Sequence, residues 1–128
     1  FGDVLQLIDC QSPTTVSPGG TIPVTLYWRA TKDMTQIQNW SMFTHFITSD
    51  GQIVTQRDFL GVPPTTWRTG DVFIQLHDLS LDPAIPPGQY YIQFGLYAWE
   101  NGQRFPVVVD GKPIGDRVIL EPIEVVVP

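Results

Sequence analysis

From Thr21 to Ala30 the chain alternates: Ile22, Val24, Leu26, Trp28 and Ala30 are apolar, and Thr21, Thr25, Tyr27 and Arg29 stand between them. A period of two sends successive side chains to opposite faces of a β-strand, so one face is committed to a core and the other to a mixed surface. A helix, with its period of 3.6, would scatter the same apolar residues around its axis. Pro18-Gly19-Gly20 supplies the turn that leads into this strand.

Similar signals recur along the 128 residues, and no helical periodicity is sustained for three turns. Ser41 to Thr48 is apolar or β-branched on both faces (Met42, Phe43, Thr44, Phe46, Ile47), the pattern of a central strand. Asp50-Gly51 then makes a hairpin turn into Gln52–Arg57. Asp58 to Gly70, with Pro63-Pro64, reads as a loop, and Asp71 to Leu81 as a strand with Val72, Ile74 and Leu76 on one side. Pro83, Pro86, Pro87 and Gly88 break it. In Gln89–Trp99, Tyr90, Ile92, Phe94 and Leu96 face one way and Tyr91, Gln93, Gly95 and Tyr97 the other, before an Asn101-Gly102 turn. Arg104–Val109 and Val118–Val127 follow, separated by the polar turn 110–116. The expected fold is all-β: a two-sheet antiparallel sandwich of immunoglobulin-like type with about seven to nine strands, in a single domain covering residues 1–128.

Composition agrees and excludes several functions. Eleven glycines and twelve prolines against 16% charged residues make a chain rich in turns and poor in helix surface. At 42% hydrophobic residues it is too apolar to be disordered, and it has no apolar stretch long enough to insert in a membrane. A net charge of −6 with seven scattered Lys and Arg opposes nucleic acid as a partner. Cys10 is the lone cysteine, so no internal disulfide forms; in the run Val4–Cys10 it reads as a buried thiol. The start, Phe1-Gly2-Asp3, shows no Met, no basic n-region and no apolar h-region, which fits a mature product or a domain cut from a longer protein, and the excised domain is the expectation.

Pro18-Gly19-Gly20-Thr21 before Val24-Thr25-Leu26-Tyr27-Trp28, Phe43-Thr44-His45, Asp50-Gly51 and Gln56-Arg57-Asp58 form one ordered set of signals. Pro64-Thr65-Thr66 with Trp67, Gly70-Asp71, Pro86-Pro87-Gly88-Gln89-Tyr90, Gly95-Leu96-Tyr97 and Gly115-Asp116 continue it. Together they resemble the C-terminal β-sandwich accessory domain of bacterial multi-pass membrane proteins described as glycosyltransferases of the protein-mannosyltransferase type. The departures are Thr44 and Thr48, polar where that family tends to be apolar or acidic. The resemblance implies a domain on the extracytoplasmic face of a bacterial membrane, partnered by the membrane-embedded part of its parent protein. Catalytic residues in such proteins belong to the membrane part, so the resemblance assigns none here.

Nothing in the residues contradicts a non-enzyme: there is no Gly-x-Ser-x-Gly, no His-Glu-x-x-His and no Gly-rich phosphate loop. His77 and Asp78 are adjacent but point to opposite faces of a strand, and His77 reads as solvated. His45 falls on the face of Phe43 and Ile47 and reads as a buried histidine bonded to a neighbouring loop. Asp50, Asp58, Asp110 and Asp116 are chemically suited to calcium but lack the spacing of a calcium loop, so neither a metal nor a cofactor is expected.

Aromatic residues carry the remaining signal, because flat rings stack on the C–H faces of sugars while amides and charged groups bind the hydroxyls. Trp28 is core by phase. Trp67, in a polar loop, either caps an open edge of the core or offers a face to a ligand, and Trp40 is the weaker candidate of the same kind. Tyr27, Tyr91, Tyr97 and Trp99 fall on outward faces and would form an aromatic surface with Gln93 and Arg29. The functional expectation is an accessory domain that binds carbohydrate or a lipid-linked glycan. The alternative is a structural or protein-docking module with no small ligand, which would present a flat apolar patch.

Overall fold

The computed structural model describes residues 5–31, 40–58, 67–98, 102–109 and 112–127. These form eleven strands: β1 (Leu5–Gln11), β2 (Thr15–Val16), β3 (Thr21–Ala30), β4 (Trp40–Ile47), β5 (Ile53–Gln56), β6 (Val72–Ser80), β7 (Gly88–Ala98), β8 (Val107–Val109), β9 (Lys112–Gly115), β10 (Val118–Ile119) and β11 (Ile123–Val125). Among the described residues there is no helix.

One sheet has the order β1-β3-β6; the larger has β2-β11-β7-β4-β5, with β10 also paired to β7. The two pack face to face as a β-sandwich, the fold class the sequence predicts. Every pairing is antiparallel except the short parallel contact of β2 with β11. The end of the chain differs from the sequence reading. Lys112–Gly115, expected as part of a turn, pairs with β8 as a hairpin, and the last expected strand splits into β10 and β11, which line the same edge of β7.

The core follows the alternation of β3 and β7. Ile22, Val24, Leu26, Trp28 and Ala30 are buried on one sheet and Tyr90, Ile92, Phe94 and Leu96 on the other. Across the gap Trp28 meets Phe94 edge to face at 6.1 Å, and within the larger sheet Phe46 of β4 stacks on Tyr90 of the adjoining β7 at 5.0 Å. The positive edge of one ring lies against the negative face of the other in the first pair, a favoured aromatic geometry.

Trp67 belongs to this core. It is 1% exposed and stacks on Phe73 at 5.4 Å, so the capping alternative holds and the ligand-facing one does not. The cause is a turn that clamps the chain to the end of β3. Gly70 N donates to Ala30 O at 2.8 Å, Ala30 N to Asp71 O at 2.8 Å, and Arg68 N to the Asp71 carboxylate at 2.9 Å. Gly70 has φ +90°, a conformation glycine adopts without a Cβ penalty. Trp67, one residue before the clamp, is tucked under the sandwich.

The same clamp sets the phase of β6. Trp28 pairs with Phe73, Leu26 with Gln75 and Val24 with His77. Directly paired residues share a face, so Gln75 and His77 follow their apolar partners inward. His77 is therefore fully buried, at 0% exposure, which corrects the expectation of a solvated side chain. Val72, Ile74 and Leu76 do lie together, on the outer face, each more than half exposed.

Candidate functional site

β4 is buried on both faces. Met42, Thr44 and Phe46 face inward, and Phe43, His45 and Ile47 are also buried, on the outer side of the sheet. Part of their cover comes from the chain between β7 and β10. The Arg104 guanidinium carbon lies 4.2 Å from the centroid of the Phe43 ring, a cation–π contact. Beside it, Gly95 gives the ring its room: a Cβ at this position would fall 2.6 Å from Phe43 Cζ and 2.9 Å from the Asp116 carbonyl oxygen.

Around Phe43 runs a polar network. Its ring is 4.9 Å from that of His45 and 6.3 Å from that of Tyr97. Tyr97 Oη donates to Asp58 Oδ2 at 3.2 Å, and His45 Nε2 stands 3.8 Å from Asp58 Oδ1, beyond hydrogen-bond reach. On its other side His45 Nδ1 lies 3.0 Å from Gln93 Nε2, and Arg117 Nη1 donates to Gln93 Oε1 at 3.3 Å. Asp116 takes an ion pair from each arginine, Arg104 at 3.6 Å and Arg117 at 3.8 Å. Burial holds the His45 imidazole below its ordinary pKa; the Asp58 carboxylate opposes that and Arg104 reinforces it. Burial likewise raises the Tyr97 phenol.

Gln93 and Arg117 also line a groove of about 340 Å³ on the outer face of the larger sheet. Tyr91, Ile47 and Ile119 supply its apolar surface, and Thr48, Ser49 and Asp50 of the β4–β5 hairpin form a polar side. That hairpin is internally fixed: Thr48 N donates to Gln52 O at 2.9 Å, Gly51 N to Thr48 O at 3.0 Å, and the Thr48 hydroxyl to the Asp50 carboxylate. Amide, guanidinium, carboxylate and hydroxyl groups beside a partly exposed tyrosine can bind a polyhydroxylated molecule with one apolar face.

Solved structures bear on the architecture. The C-terminal domain of Wzt superposes with a TM-score of 0.59 at 19% identity, covering 95% of this chain and 73% of that one. A Niemann-Pick type C2 protein from Japanese carpenter ant gives 0.56 at 10% identity, covering 98% and 95%. The CARDB domain of a Pyrococcus furiosus protein, solved in complex with di-metal ions, gives 0.55 at 11%, covering 95% and 87%. The shared fold is the β-sandwich. No protein-family profile matches the chain, and no curated protein does.

Within this sandwich only part of the expected aromatic surface comes together. Tyr91 and Gln93 line the groove, and Tyr97 sits in the adjoining network. Arg29 and Tyr27 are on the outer face of β3, in the other sheet, where Tyr27 Oη donates to Gln11 at 3.2 Å; they cannot share a surface with Gln93. Trp67 is in the core. Trp40 pairs through its backbone with Ala98, while its side chain, and Trp99 altogether, lie outside the described residues.

Other expectations find their places. His45 is buried as expected, with its closest polar partner on the neighbouring strand β7 rather than in a loop. Cys10 is half-buried against the core, not fully buried, and burial followed by the Asp9 carboxylate raises its pKa. Asp58 and Asp116 are engaged in the network, Asp50 is in the hairpin, and Asp110 lies outside the described residues. Among the described residues no three His, Cys, Asp or Glu side chains gather as a metal site. Sequence reasoning missed Arg117 and Arg104. The available signal was the sequence Gly115-Asp116-Arg117 at the mouth of a strand, where the glycine that ends β9, with φ +149°, hands the chain to β10.

Proposed function

We propose that this chain is a non-catalytic accessory domain on the extracytoplasmic face of a bacterial membrane, binding a glycan, free or lipid-linked, for the membrane-embedded glycosyltransferase part of its parent protein. The observation that carries the reading is the groove, in which the Tyr91 ring, the Gln93 amide and the Arg117 guanidinium converge opposite the hydroxyls of the β4–β5 hairpin. Sugars demand that mixture of an apolar face and directional polar groups. The likeness in fold to the C-terminal domain of Wzt is in keeping with an appended module.

A glycan-array screen of the domain beside Tyr91→Ala and Gln93→Ala tests it, with folding checked by circular dichroism. Saturable binding that falls about tenfold or more in a folded variant is the expected result, since tenfold corresponds to about 1.4 kcal/mol and each variant removes a direct contact. Absence of binding to every glycan would favour the docking reading instead. That second reading rests on Val72, Ile74 and Leu76, an apolar stripe 53–58% exposed on the outer face of β6, at the edge of the smaller sheet.

A further inference from the structure

The amide of Gln93 has one orientation that satisfies both its neighbours, and that orientation dictates the state of His45. A guanidinium has donors and no acceptor, so Arg117 Nη1, at 3.3 Å, requires the amide oxygen on its side. The NH₂ group then faces His45 Nδ1, at 3.0 Å, and that nitrogen must offer a lone pair. A neutral ring with Nδ1 unprotonated carries its hydrogen on Nε2, the nitrogen turned towards Asp58.

Protonation of His45 breaks the arrangement whichever way the amide responds. If Gln93 stays, N–H faces N–H at Nδ1. If the amide turns over to accept from the imidazolium, its NH₂ group confronts Arg117 and the guanidinium loses its acceptor. A buried donor left facing another donor is strongly disfavoured, and His45 and Gln93 are about 95% buried, whereas the Arg117 side chain is 48% exposed and can turn to solvent.

We infer that His45 is a positioning residue for the groove: its neutral ring, acting through Gln93, holds Arg117 in the groove wall, and acidification releases the arginine. The charged and titratable groups facing His45 are Asp58 after β5, Tyr97 on β7 and Arg104 before β8, with Arg117 and Asp116 one contact further out. Asp58 favours the protonated ring and Arg104 opposes it, while burial favours the neutral ring, so the switch lies on the acid side of the ordinary imidazole range. Arg117 Nε keeps its ion pair with Asp116 at 3.8 Å when the Nη1 bond to Gln93 is lost, so the guanidinium retains one anchor.

The coupling itself does not depend on a ligand; its consequence for binding rests on the glycan reading of the groove. Nitrogen NMR of the uniformly labelled domain between pH 8 and 5 tests the coupling directly. The His45 ring, the Gln93 side-chain amide and Arg117 Nε are expected to shift with one shared midpoint below that of an ordinary imidazole. In Gln93→Leu, His45 should still titrate while Arg117 no longer follows it. An Arg117 signal that stays flat as His45 titrates in the parent protein overturns the inference, and this comparison needs no variant to fold. In parallel, affinity for a glycan selected at pH 7.5 should fall about tenfold across the His45 midpoint, the worth of one hydrogen bond to a charged group. Shared NMR midpoints with no glycan bound at any pH would leave the relay standing and remove the glycan reading.

Discussion

Trp67→Ala is expected to lower the unfolding free energy by about 3–5 kcal/mol, the range for deleting a large aromatic from a packed core. The ring is 1% exposed, stacked on Phe73, and held beneath the turn that ties residues 68–71 to Ala30. Its removal leaves a void at one end of the sandwich that rigid strands close only in part. Urea denaturation measures the effect, and Trp67→Phe should recover part of it by restoring a ring against Phe73. Tyr91→Ala, which strips a partly exposed side chain from the groove, is the comparison and should cost far less. Equal urea midpoints for Trp67→Ala and the parent would mean that the ring does not support the core.

The second large effect is on acid stability. His77 lies in the core with its pKa pushed down to about 4; burial dominates, the backbone at Arg57 works the other way, and the charges of Arg57 and Asp78 add smaller opposing effects. The unfolded chain binds this proton near pH 6.5 and the folded chain only near pH 4. Between those values the unfolded state carries more protons, so stability is undiminished above pH 6.5, declines as pH falls through the window, and levels off near 4 as far as this group is concerned. The full difference amounts to roughly 3 kcal/mol. His45, also lowered, adds to the decline with the same sign. Unfolding free energy measured from pH 7 to 4 in the parent and in His77→Gln should show most of the slope removed by the substitution. A parent protein as stable at pH 4.5 as at pH 7 would contradict the burial of an uncharged His77.

Where local chemistry alone decides the outcome, the residues declare it. The alternation of β3, the Asp50-Gly51 hairpin and the inward set Tyr90, Ile92, Phe94 and Leu96 all appear as read. So does the placement of His45 with Phe43 and Ile47. β6 is different. Its apolar residues Val72, Ile74 and Leu76 share one side as read, but which side faces the core is set by the register with β3, which belongs to the pairing and to the turn at Gly70. Trp67 was ambiguous for the same reason, since its polar neighbours describe the loop and not the clamp that follows it. The groove was legible only as far as Tyr91 and Gln93. Arg117 reaches it because Val118 pairs with Phe94, a contact 24 residues apart in sequence that no local pattern encodes.

The double covering of β4 bears on how this chain tolerates change. Along β3 buried positions alternate with exposed or half-buried ones, so every second site is more open to polar substitution. From Met42 to Ile47 no such respite exists, because all six consecutive side chains are buried, three against the sandwich interior and three beneath the outer network. A survey of accepted substitutions would therefore pulse with a period of two along β3 and run uniformly low through β4. This run, the longest unbroken buried stretch among the described residues, also separates the core from the groove, and drift in either would be felt by the other.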